Sequence, residues 1–129
     1  MPKFARKKSD NLPERQIITG LIVSNEFTNE IAPVLDVDLL NSRLGKTVAQ
    51  WCLDYYDQYE TTPNKTIQEI FDAKEPELDN ETANAIEKFL VSISNEFDRK
   101  QFNYQYYRQQ AEKYLRKQNL KRLYNSGKS

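Results

Sequence analysis

The sequence predicts an all-α fold, a compact bundle of about six helices with a long helix at its end. Three observations carry that reading. Apolar residues recur at steps of three and four in segment after segment, the period of one helical face. No stretch alternates with the period of two that a half-buried strand requires. Only three Gly and five Pro occur in 129 residues, which suits helices joined by short turns.

The segment richest in core-forming residues is VAQWCLDYYDQYETTPNKTIQEIF, Val48 to Phe71. Val48, Trp51, Cys52, Tyr55, Tyr56 and Tyr59 share one face of a long central helix that ends near Glu60. Pro63 breaks it. A second helix starts at Thr66, with Glu69 at capping-box spacing and Ile67, Ile70 and Phe71 on its buried side.

Met1 to Asn11 reads as a basic flexible arm, and residues 12–129 as a single helical domain. Leu12-Pro13-Glu14 has the form of a helix start, with Pro13 in the first turn. Ile17, Ile18, Leu21 and Ile22 then form the stripe of a helix ending near Val23. Gly20 weakens that helix unless a neighbour packs closely against it. Ser24 or Asn25 caps a second helix over Glu26 to about Leu35, with Phe27, Ile31, Val34 and Leu35 on one side. Pro33 is expected to kink or shorten it.

Asp36-Val37-Asp38 reads as a turn, and Leu39, Leu40 and Leu44 pack the connection into the central helix. After the loop Lys74 to Asp79, Asp79 or Asn80 caps a helix striped by Ala83, Ile86, Phe89, Leu90, Ile93 and Phe97. A polar joint, Asp98 to Gln101, precedes the last helix. That helix is capped by Asn103, runs to about Tyr124, and carries Tyr104, Tyr107, Ala111, Tyr114, Leu115, Leu120, Leu123 and Tyr124.

Composition narrows the chemistry. There is no His, which removes Ser-His-Asp and Cys-His catalysis and histidine metal sites. The single Cys, Cys52, cannot form an intrachain disulfide and reads as a buried structural thiol. Asp36 and Asp38 suit a turn and cap better than a calcium loop. Gly45-Lys46-Thr47 resembles the end of a phosphate loop, but the required earlier Gly is Leu40, so it reads as the first turn of the central helix. No enzyme, metal or cofactor is expected. No apolar run approaches the ~20 residues of a membrane span, so no membrane partner is expected and a cytoplasmic location is.

The net charge of zero conceals segregation. Residues 1–16 carry +3, residues 17–99 carry −10 and residues 100–129 carry +7. Basic ends on an acidic body can pair with a second copy or with nucleic acid. In the last helix Arg108, Lys113, Arg116, Lys117, Lys121 and Arg122 interleave with tyrosines. Basic side chains bind phosphate backbones and aromatics stack unpaired bases, which makes Arg116, Lys117, Lys121 and Arg122 the candidate nucleic-acid contacts. The alternative is that the tyrosines pack on the domain or a partner helix while the charges are solvated.

The order of helices resembles the N-terminal domain of DnaB-type replicative helicases, especially divergent phage versions. ERQIITGLIVSNEF, Glu14 to Phe27, is similar to that family's opening helix and turn. Val37 to Phe71 is similar to its block of loop, long helix, proline turn and short helix, with Pro63 at the turn. Phe102 to Leu123 looks like the helix leading into the family's helical hairpin.

The resemblance implies a non-catalytic collar that self-associates and binds a primase or helicase loader, unwinding being the work of a separate ATPase domain. No Walker motif is present here, and only the first arm of the hairpin is visible. The chain is therefore expected to be a fragment of a longer helicase or a stand-alone relative. The last helix has no obvious partner within the chain, so Tyr107, Tyr114, Leu120 and Leu123 are the expected protein-interface residues. The alternatives are a small stand-alone nucleic-acid-binding or replication-regulating protein, or the helicase-binding domain of a primase.

Overall fold

The computed structural model describes residues 2–97 and 103–128, with side chains over 12–94 and 103–125. The described residues form six α-helices and no strand. They are α1 (Pro2–Val23), α2 (Asn25–Ile31), α3 (Arg43–Tyr59), α4 (Thr66–Lys74), α5 (Asn80–Phe97) and α6 (Tyr104–Lys128). Single 3-10 turns at Val37–Leu39 and Glu75–Glu77 link α2 to α3 and α4 to α5. The all-helical bundle with a long final helix is the predicted fold.

The expected helix start at Leu12-Pro13 lies inside α1, which is helical back to Pro2. Pro13 is thus an interior position, and without an N–H it leaves the Ser9 carbonyl without its helical donor. The basic stretch 1–11, read as a flexible arm, is helical backbone from Pro2 onward, and its side chains lie outside the described residues. The stripe of Ile17, Ile18, Leu21 and Ile22 is fully buried, as its spacing predicts.

One residue reverses the chain after α1. The Ser24 side chain accepts from the Phe27 amide at 3.1 Å and caps α2. This places the buried Phe27 ring against Gly20, where a Cβ would stand only 2.5 Å from the ring. Gly20 therefore has the close neighbour that its place in a helix requires. α2 ends at Ile31, short of the expected Leu35. Pro33 supplies no N–H to extend the helix. Val34, expected on the apolar stripe, is exposed as a result.

α3 is capped by Ser42, whose side chain accepts from the Gly45 amide at 2.9 Å. Its buried face is Gly45, Val48, Ala49 and Cys52. Trp51, Tyr55 and Tyr56 are half-buried and Tyr59 is exposed, so the aromatic end of the stripe leaves the core. Burial of the Cys52 thiol pushes its pKa far above the ordinary value.

The helix closes at Glu60 in the left-handed region (φ 59°), with its amide on the Tyr56 carbonyl at 2.7 Å. The following turn is stitched to the end of α1. Asn64 donates its amide to the Ile22 carbonyl at 2.8 Å, and the Asn25 side chain accepts from the Thr62 amide at 2.8 Å.

The expected capping box of Thr66 and Glu69 does not form. Lys65 holds the cap position and its side chain makes no capping bond. The turn already has helical bonds, Thr66 to the Pro63 carbonyl and Ile67 to the Asn64 carbonyl, so Thr66 falls within the helix rather than before it. At α5 the Asp79 carboxylate caps through the Thr82 amide at 3.0 Å, and Ala83, Ile86, Phe89, Leu90 and Ile93 are buried as expected. The side chain of Phe97 and the joint 98–101 lie outside the described residues. Asn103 caps α6 through the Tyr106 amide at 3.0 Å. α6 lies along α1 and α2 and reaches the 3-10 turn before α3.

Candidate interaction surface

α6 divides into two halves with different surroundings. From Tyr104 to Leu115 it belongs to the core: Ala111 and Leu115 are buried, and Tyr104, Tyr107 and Tyr114 pack half-buried against the same cluster. Tyr107 and Tyr114, expected at an interface with another chain, thus have partners within their own domain. Tyr104 donates its hydroxyl to Glu30, and Arg108 pairs with Glu30 at 3.3 Å and with Glu112 at 3.2 Å.

Tyr114 leads to the polar centre of the fold. Its hydroxyl donates to the Glu14 carboxylate at 2.7 Å. That carboxylate is buried, and it also accepts from the Asn41 and Ser42 amides and from the Ser42 hydroxyl at 3.1 Å. A carboxylate from α1 therefore sits at the amino end of α3, where the helix dipole favours negative charge. The same group occupies the place a phosphate would take beside Gly45-Lys46-Thr47, and like charge opposes a phosphate there. No periodicity or spacing signalled Glu14, because its partners are 27 to 100 residues away. Ser42, three residues before Gly45, was legible as a cap but was overlooked.

Beyond Leu115, α6 is held on one side only. Gln118 donates to the Leu39 carbonyl at 2.9 Å, and Arg122 pairs with Asp36 at 2.8 Å. That pairing, with the Asp38 amide, holds the Asp36 carboxyl below its ordinary pKa. Arg122 is thereby engaged by the body and separated from the other three candidate nucleic-acid contacts. Arg116, Lys117 and Lys121 are exposed.

Leu120 and Leu123 are 61% and 59% exposed. Steps of three and four place Lys113, Lys117, Leu120 and Tyr124 along the outward face, with Arg116 and Leu123 beside them. Residues 113–125 carry five basic and no acidic side chains. Residues 54–81 carry nine acidic and two basic side chains, and all nine carboxylates are exposed.

Among the described residues no three His, Cys, Asp or Glu side chains gather as a metal site, and no helix is long and apolar enough to cross a membrane. Comparison with known proteins finds no matching family model, no matching curated protein and no matching solved structure. What the surface offers is contact: two exposed leucines on a basic helical face, carried by a well-packed helical body.

Proposed function

We propose that this chain is a non-catalytic assembly and interaction domain of the kind found at the N-terminus of DnaB-type replicative helicases. It associates with itself and binds a primase or helicase loader during DNA replication in a bacterial or phage-infected cytoplasm. The observation that carries this reading is the exposure of Leu120 and Leu123 on the outward face of α6, next to Lys117 and Lys121. Adjacent large apolar side chains on a helix that is otherwise anchored are the usual nucleus of a protein interface.

The test is sedimentation velocity across micromolar concentrations, with a pull-down on the cognate primase. Self-association or primase binding that is lost in Leu120→Ser/Leu123→Ser is expected. A strictly monomeric species that also ignores primase overturns the reading.

A second reading is favoured by Arg116, Lys117 and Lys121, which make no ion pair with the described acidic residues. It is a stand-alone protein that binds single-stranded nucleic acid. It predicts binding that weakens with salt and with Lys117→Glu/Lys121→Glu. Absence of binding at low salt removes it.

A further inference from the structure

The outward face of α6 has a complementary surface on the same molecule, but at the opposite end of α1. α6 passes Glu30 at Tyr104 and Arg108, then Glu14 at Tyr114, so it runs antiparallel to α1 and its distal half points away from Ile22. At the Ile22 end lies a groove of ≈ 630 Å³ between α1, the turn into α4, and α5. Ile22, Pro63, Ile67, Leu90 and Ile93 give it an apolar wall.

Lys65 is the one cation among its lining residues. The lining itself holds no carboxylate; the acidic side chains of α4 lie outside it. Gln68 lines the groove and donates to Asp72 at 3.1 Å, which fixes that carboxylate beside it, and Glu69 follows Gln68 in the same turn. The exposed carboxylates Glu75 and Glu77 continue the acidic surface toward α5.

Resting on the reading of α6 as an assembly surface, we propose that its occupant is the α1–α4–α5 groove of a second copy. Leu120 and Leu123 seat on the apolar wall, while Lys113, Lys117 and Lys121 face Glu69, Asp72 and their acidic neighbours. The two surfaces are different patches at opposite ends of one molecule, so the contact is head to tail. Every bound copy keeps one free face of each kind, and the assembly continues until it closes as a ring or extends as a filament. A two-fold dimer through α6 alone would instead bring five cations against five.

Two variants of the 129-residue chain, both altered only at exposed positions, test this. Leu120→Ser/Leu123→Ser disables the helix face, and Glu69→Lys/Asp72→Lys disables the groove edge. Matching circular dichroism and melting curves establish that both fold. Sedimentation velocity is expected to show wild-type species larger than a dimer that shrink with salt, and about tenfold or weaker association for each variant alone. An equimolar mixture of the two variants is expected to form a dimer and nothing larger, because one intact face meets one intact groove.

If Glu69→Lys/Asp72→Lys associates as the wild type does, or the mixture stays monomeric, the head-to-tail contact is wrong while the assembly role survives. If wild type is monomeric at every concentration, the proposed contact fails at its foundation.

Discussion

The Tyr114 hydroxyl and the Glu14 carboxylate, 2.7 Å apart, join the last helix to the first across 100 residues of sequence. Because Glu14 also receives the Asn41 and Ser42 amides, this one bond connects α6, α1 and the amino end of α3. Tyr114→Phe is expected to cost about 1.5–3 kcal/mol, as for a hydrogen bond to a charged acceptor. Glu14→Ala costs more, since it strands several donors at once. Urea unfolding of both single variants and the double variant checks this, and the double variant should lose less than the sum.

Gly20→Ala places a methyl group inside the space of the Phe27 ring, whose nearest atoms would be 2.5 to 2.7 Å away. The ring is fully buried and has nowhere to retreat. The expected cost is about 1–3 kcal/mol, the range for overpacking a tight core. In a Phe27→Leu background the added methyl should cost measurably less, which thermal melts of the four proteins would show.

Acid and alkali should each destabilise the fold through identifiable groups. Arg122 and the Asp38 amide hold the Asp36 carboxyl low, and Thr82, through its side chain and amide, does the same for Asp79. A depressed folded pKa gives stability that is present above the unfolded value, about 4, and is lost as pH falls through the folded one. Tyr114 is raised by burial first and by Glu14 second, and Tyr104 by its bond to Glu30. Their contribution is present below about pH 10 and is lost as pH rises further. Melting temperatures followed across pH should therefore fall at both ends, with Arg122→Ala moderating the acid limb and Tyr114→Phe the alkaline one.

Cys52 should be silent in the native state. It is fully buried, and burial disfavours its thiolate. A thiol reagent is expected to react slowly with the folded protein and fast in urea, in parallel with the loss of helical signal. Rapid labelling without denaturant would contradict the packing of α3 described above.

Helix periodicity reports burial where apolar residues are dense, and reports less where position depends on distant groups. The stripe of α1 is buried, and so are the described members of the α5 stripe, Ala83, Ile86, Phe89, Leu90 and Ile93, because their periods need no knowledge of the partner. Tyr59 was misplaced because helical phase says which face it shares, not where the neighbouring helix stops. Thr66 and Glu69 have capping-box spacing, yet the turn through Pro63 and Asn64 starts the helix before them. Tyr107 and Tyr114 pack half-buried on their own domain because α6 folds back onto α1, which nothing local in the sequence shows. Leu120 and Leu123 are exposed on that helix, and their neighbours Lys117 and Lys121 share the outward surface.

Pairing of α6 with α1 also fixes when the domain can become native. α1 carries Ile17, Ile18, Leu21 and Ile22, and α6, which packs along it, carries the buried Ala111 and Leu115 far later in the sequence. Contacts of such long sequence separation slow folding, since a large loop must close before they reward it. During synthesis, the part of α1's greasy side that α6 covers waits until α6 itself has emerged, and a chain halted before residue 111 would present that part to chaperones and proteases.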